Sequence, residues 1–289
     1  MLNLDFTAIM TILIGGLCTG GVYGLFASSF TFQCGSLGIT DFSFGSWLMM
    51  AMYLTFFMYT DWNMNIFAFV ALLFVMYFVI SFLIGKFMLS KRGEFVNIII
   101  TMGISLAIQN AATLFFSSSP RSLGIIESAI SIGGVSITVT KLAMLILSAI
   151  ILIGFQAFLN KTWTGKAIRA VVQRREVAYL MGINSDAVRN VAYSISYITL
   201  SASGIMLIVL FSVDPTTGGF YQMMSFLICI IGGLGNIRGT FYSGLLVGVL
   251  IAVLNMISSQ FAMVMLFFVF VIILVLRPRG LFSKGGNAA

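Results

Sequence analysis

The 289-residue chain has no histidine, three cysteines, three prolines and only 8% charged residues. Without histidine there is no imidazole metal site, no imidazole acid–base catalyst and no Ser-His-Asp triad. Cys18, Cys34 and Cys229 stand at unrelated spacings in apolar surroundings and read as small buried thiols. No Gly-x-x-x-x-Gly-Lys-Ser/Thr loop occurs, so nucleotide is not held here in that manner. Eight acidic residues, most of them in loops, give little support for an enzyme. Charge is also too scarce for a water-soluble domain, which carries roughly 25%.

What fills the chain is apolar. Hydrophobic residues make up 60% of it, and its mean hydropathy is +1.10. Runs of about 20 apolar residues recur, the length that crosses a hydrocarbon core of about 30 Å. Alternating segments of about ten residues, the mark of a membrane β-barrel, are absent. The expected fold is therefore all-α: a polytopic transmembrane bundle of about eight to ten helices, a single integral-membrane domain over 1–289. Candidate spans are 9–31, 42–59, 64–85, 95–116, 142–159, 190–211, 220–236, 240–257 and 261–276. The opening MLNLDFTAIM has an acid and no base ahead of its apolar run, so the first helix is expected to be retained rather than cleaved.

The net charge of +7 reports topology, not nucleic-acid binding. With alternating spans, one side holds thirteen bases: Lys86, Lys91, Arg92, Lys161, Lys166, Arg169, Arg174, Arg175, Arg189, Arg238, Arg277, Arg279 and Lys284. The other side holds Arg121 and Lys141. The positive-inside rule then places the N-terminus out and the C-terminus in.

Three local patterns stand out. Gly16, Gly20, Gly24 and Ser28 recur every four residues on one helix face, and Gly244 and Gly248 repeat the device late in the chain. Such stripes let helices approach closely and say nothing about substrate. The long outer loop 117–141 starts with SSSPRSLG, and its alternating Ile and Val suggest a short hairpin. It reads either as a spacer or as part of a docking surface for an external partner.

The third pattern is CGSLGITDFSFG at 34–45, which interrupts the membrane sequence with polar and glycine residues. Such backbone at membrane depth is tolerated only inside protein or along a cavity, and broken helices of this kind build transporter pathways. This predicts a discontinuous second helix, with Gly38, Thr40, Asp41, Ser43 and Gly45 along the substrate pathway. Asp41 has two readings: an intramembrane functional carboxylate, or a cap on the second helix assisted by Ser43.

The inner segment at about 161–189 holds six of the fifteen Lys and Arg residues. Thr164 to Met181 reads as an amphipathic helix, with Lys166, Arg169, Gln173 and Glu176 on one face. Ile168, Val171, Val172 and Tyr179 gather on the other. Gly182 stops it, and Asn184-Ser185-Asp186 offers cap chemistry for the next span. It either fits a groove on a cytoplasmic partner or rests on anionic lipid.

The run GKAIRAVVQRREVAYLMGIN resembles the cytoplasmic loop of permease subunits of branched-chain amino-acid type ABC importers, the LivH/LivM-like family related to ribose and simple-sugar permeases. Gly165, Lys166, Ala167, Arg169, Ala170, Ala178, Met181, Gly182, Ile183 and Asn184 carry the match. IIGGLGNIRGTFYSGLLVGVL adds Gly232, Gly233, Gly235 and Gly239, assigned to helix packing, and GLCTGGVYGLFA and RPRGLF also fit.

The resemblance implies a transport subunit without catalysis of its own, in a bacterial inner membrane, moving a branched-chain or related amino acid inward. The loop would hold a coupling helix, with Gly165, Lys166, Arg169, Ala170, Arg174, Arg175, Glu176, Met181, Gly182 and Asn184 receiving the motion of an ATPase. Two ATPase subunits carrying ATP and Mg, a second permease chain and an extracytoplasmic solute-binding protein would complete the assembly. One departure is local. Asp41-Phe42-Ser43-Phe44-Gly45-Ser46 lacks the His and acid usual in amino-acid permeases and is similar to the sugar-permease motif, which keeps a sugar or nucleoside as the alternative cargo. A stand-alone carrier or channel would want paired charges at membrane depth, and Asp41 has no evident basic partner in the sequence.

Overall fold

The structure is a computed structural model describing residues 6–62, 64–88, 94–124, 129–132, 135–277 and 280–282. Among these residues run eleven α-helices: α1 (Phe6–Thr31), α2 (Phe44–Thr60), α3 (Ile66–Met88), α4 (Glu94–Phe116), α5 (Val139–Lys161), α6 (Trp163–Gln173), α7 (Arg175–Leu180), α8 (Ser185–Leu210), α9 (Thr217–Gly232), α10 (Ile237–Ile257) and α11 (Ala262–Leu276). Each of the nine apolar runs is a helix, because a chain with no water to bond must satisfy its backbone within each segment. Six stretches are long and apolar enough to cross a membrane: Thr7–Gly35, Ile66–Phe87, Phe95–Phe116, Val139–Lys161, Ser185–Leu210 and Ile237–Ile257. The helices α2, α9 and α11 are shorter, at 17, 16 and 15 residues.

The 117–141 loop contains the expected hairpin: β1 (Ala129–Ile132) pairs antiparallel with β2 (Val135–Thr138), Ile130 opposite Ile137. The expected interruption lies ahead of the second helix and not within it: a π-helical turn at Phe32–Ser36 and a non-helical passage, 38–43, precede α2, which is itself unbroken because the glycines and polar residues end in its first turn, where its apolar run begins. Of the expected inner-side bases, Lys91, Arg92, Arg279 and Lys284 lie outside the described residues, as do Pro278 of the closing motif and the first five residues of the chain.

By compactness the chain separates into two units, each discontinuous in sequence. The first comprises Met1–Thr31, Gly124–Ala149 and Met224–Ala289. Its axis is the contact of α1 with α10, where the two glycine stripes face each other. A Cβ on Gly16, Gly20 or Gly24 would stand 2.7–2.8 Å from the carbonyl oxygens of Gly248, Gly244 and Phe241 respectively. Reciprocally, a Cβ on Gly244 or Gly248 would strike the backbone of Gly24 and Gly20. Ser28 closes the seam by donating to the Ile237 carbonyl at 3.1 Å, and the Thr31 and Thr240 hydroxyls meet at 2.9 Å.

Farther along the same unit, the GGLGNIRG turn joins α9 to α10. Gly233 and Gly235 sit at φ +89° and +84°, where L side chains are strained. Gly232 packs directly on Thr240, and Gly239 on the Gly232 carbonyl and Phe282. The tail then docks on the turn: Leu281 N–H donates to the Ile231 carbonyl at 2.8 Å, and the Asn236 amide to the Phe282 carbonyl at 2.7 Å.

The second unit comprises Phe32–Leu123 and Ile150–Met223, with α2 and α3 packed against α8. Gly204 of α8 lets that helix close on Ala51 and Leu48 of α2. Asn190, near the start of α8, fills the space that a glycine leaves at Gly85 and donates to the Phe82 carbonyl at 3.1 Å.

Candidate functional site

Two places in the second unit concentrate polar chemistry. The first is the 38–43 passage. A non-helical stretch buried among helices must find partners for its backbone elsewhere, and here each comes from a different element. Ile39 N–H donates to the Gln33 carbonyl at 3.4 Å and Phe42 N–H to Thr101 Oγ1 of α4 at 3.2 Å. The Leu37 carbonyl accepts from Arg189 at 3.0 Å, and the Asp41 carbonyl accepts from the Gln222 amide at 3.3 Å. Gly38 turns the chain at φ +65°.

Asp41 is fully buried at the centre. Its Oδ1 accepts from the Ser43 amide (2.8 Å) and hydroxyl (2.6 Å). Its Oδ2 accepts from Tyr193 (2.7 Å), Tyr197 (2.6 Å) and the Gln33 amide (3.1 Å). These five donors are neutral and cover the directions in which a carboxylate accepts. The carboxylate thus clasps the π-turn, the passage and α8 together. Ser43 is the N-cap residue of α2, yet its side chain makes no capping bond. The orphan first-turn amide at Gly45 is capped instead by Gln222 Oε1 of α9 at 2.7 Å. Gly45 is glycine because a Cβ there would strike the Gly218 carbonyl and the Gln222 backbone. Thr40 is partly exposed beside the clasp. The assembly of Gln33, Tyr193, Tyr197 and Gln222 around Asp41 was not foreseen. Its one trace in the sequence is the Tyr193, Tyr197 pair, four residues apart on a single face of α8.

The second place is the 161–189 segment. The expected single helix is two, because Arg174 adopts an extended conformation (φ −150°, ψ 97°) between α6 and α7. Thr162 caps α6 by accepting from the Gly165 amide at 3.0 Å. Gly165 is pressed so closely on the end of α5 that a Cβ would strike the Phe158 and Leu159 backbone. Arg169 reaches back to Asn160, donating to its side-chain oxygen at 3.1 Å and to its carbonyl at 3.3 Å. Ala170 is half-buried, and Ile168 and Val171 are buried as their pattern required. Val172, on the last turn of α6, and Tyr179 are instead exposed, a correction to the expected apolar face; for Tyr179 the break at Arg174 takes α7 out of the register of α6.

Trp163, Tyr179, Leu180 and Met181 are each more than 70% exposed, four large apolar side chains on one short segment. Lys166, Arg174 and Glu176 are exposed among them. The side chain of Arg175 lies outside the described residues. Gly182 ends α7 at φ +81°, and Asn184 caps α8 by accepting from the Ala187 amide at 3.1 Å. Among the described residues no group of three or more His, Cys, Asp or Glu side chains could hold a metal.

Comparison with known proteins gives one consistent picture. Residues 12–276 match the family described as "Branched-chain amino acid transport system / permease component". The high-affinity branched-chain amino acid transport system permease protein BraD of Pseudomonas aeruginosa is 24% identical over 94% of this chain and 95% of its own length. The corresponding permease protein LivH of Escherichia coli is 24% identical over 94% of each chain. The ribose import permease protein RbsC of Escherichia coli is 25% identical over 60% of this chain and 57% of its own length. No solved structure matches.

Proposed function

The chain belongs to the branched-chain amino acid transport system permease family, and on that premise we propose that it is the membrane-spanning subunit of an ATP-driven importer for an aliphatic amino acid. The observation that carries the reading is the family match over 12–276, which includes both the clasp and the inner segment. The chain supplies the passage through the bilayer. ATP and Mg are bound by two separate ATPase subunits, and a second permease chain and an extracytoplasmic solute-binding protein complete the complex. The N-terminus faces out and the inner segment and C-terminus face the cytoplasm of a bacterial cell, which accords with thirteen bases against two.

In this reading α6 and α7 are the coupling element. Trp163, Tyr179, Leu180 and Met181 offer the exposed apolar anchors that a groove on an ATPase subunit would cover, with Lys166, Arg174 and Glu176 at the rim. Gly165 and the Arg169–Asn160 bonds fix α6 to the end of α5, so a push on the segment is delivered to the helices rather than lost in a loose loop. The pathway runs beside the 38–45 stretch, where Gly38 and Thr40 stand next to the clasp.

A second reading, a sugar or nucleoside as cargo, draws on the partial similarity to the ribose permease and on the Asp41-x-Ser43-x-Gly45 pattern. One experiment separates the two: calorimetry of the co-encoded solute-binding protein against amino acids, sugars and nucleosides. Binding of an aliphatic amino acid supports the first reading. Binding of a sugar or nucleoside supports the second. A purified chain that brings down no ATPase contradicts both.

A further inference from the structure

The helix that leaves the inner segment is the helix that holds the buried passage. Arg189, Tyr193 and Tyr197 lie at i, i+4 and i+8 on α8, one face over two turns, about 12 Å of helix. All three donate to the 37–41 stretch: Arg189 to the Leu37 carbonyl (3.0 Å), Tyr193 and Tyr197 to Asp41 Oδ2 (2.7 and 2.6 Å). At its other end the same helix begins at Ser185, directly after Gly182 and the Asn184 cap, and it packs against both α6 and α7. A stiff helix thus has the coupling element at its start and the non-helical passage bonded along its first three turns.

We propose that Arg189, Tyr193 and Tyr197 are the positioning residues through which movement of the inner segment opens and closes the 38–43 passage, with Asp41 as the latch. This rests on the importer reading above. The argument is energetic as well as geometric. Coupling between distant places needs a contiguous physical element with two arrangements. A carboxylate held by neutral donors provides that, because sliding α8 along its axis exchanges or strains several short hydrogen bonds at once. The hydroxyl-to-hydroxyl contact of Tyr193 with Tyr197 at 3.0 Å gives Oδ2 an alternative donor arrangement within the same cluster. Gln33 Oε1, buried and without a hydrogen-bond partner among the described residues, marks an acceptor that the present arrangement leaves unused and that a shifted one can satisfy. The role is transmission: Asp41 accepts its full set of bonds from within the protein and needs no contact with the cargo.

The test uses the complete importer in liposomes, measuring solute uptake and ATP hydrolysis in the same vesicles. The Tyr193→Phe/Tyr197→Phe double variant keeps both rings and removes two of the three donors to Oδ2, leaving the Gln33 amide. Uptake per ATP is expected to fall at least roughly tenfold, since even one lost hydrogen bond to a charged group is on that scale, while hydrolysis stimulated by the binding protein stays near the wild-type rate. An unchanged ratio of uptake to hydrolysis overturns the proposal, as does a parallel fall of both, which would mark a structural role only. If the double variant fails to assemble, the single variants decide: each leaves one phenol on Asp41 and should lower the same ratio less, and unchanged ratios in both overturn the proposal. A wild-type complex without ATP-dependent uptake contradicts the importer reading instead.

Discussion

The α1–α10 seam and the Asp41 clasp hold helices together by opposite means. At the seam, cohesion comes from the absence of side chains: Gly16, Gly20, Gly24, Gly244 and Gly248 bring backbone onto backbone, so that any added methyl collides. At the clasp, cohesion comes from side chains: five neutral donors converge on one carboxylate, and Gln222 ties the passage to α2. A seam of van der Waals contact has one good arrangement. A cluster of hydrogen bonds has several of comparable energy, since donors can be re-paired. The comparison assigns the seam to permanent structure and the clasp to movement.

Substitutions sharpen the contrast in descending order of effect. Gly244→Val should be the most damaging, because its Cβ falls on Gly24 of the facing helix. A loss of more than about 3 kcal/mol is expected from overpacking with no flexible neighbour to yield. The check is monodispersity and thermal melting in detergent; a variant that melts like wild type would mean the seam is not close-packed. Asp41→Ala comes next. It strands the Tyr193, Tyr197 and Gln33 donors in a buried site, at about 2–3 kcal/mol of stability. It should also be stabilised partly by Tyr193→Phe/Tyr197→Phe in the same chain, a rescue that melting of the triple variant reads directly. No rescue would mean that the donors do not act as one network.

Gly182→Ala should cost least, about 1–2 kcal/mol, because only its left-handed backbone is at stake and the space around it is open. Its functional effect should exceed its stability effect, since it sits between α8 and the proposed coupling element, α6 and α7. ATP hydrolysis that continues while uptake falls is the expected result, and equal losses would place Gly182 in the folding of the loop alone.

Much of this was legible in advance because membrane sequence is under one dominant constraint. Apolar runs of spanning length pointed to helices, and the alternating Ile and Val of the 117–141 loop, bounded by Ser, Pro and Gly, suggested the hairpin. The glycine stripes announced close approach, although each on its own did not say which helix it faced. The clasp was half legible. Asp41 in a glycine-rich interruption marked the place, but its partners come from residues 8, 152 and 156 positions away, and a tyrosine in an apolar helix carries no mark of what its hydroxyl bonds. The two-helix form of the 161–189 segment was hidden for a different reason. Helical periodicity runs straight through Arg174, and no proline or glycine signals the extended residue there.

Hydrogen exchange measured on the full importer, with and without trapped ATP, tests the contrast most directly. The account predicts that amides of residues 38–45 and of the first turns of α8 change protection between the two states, while those of 16–24 and 241–248 do not. Unchanged exchange at 38–45, or a change confined to the seam, would contradict it.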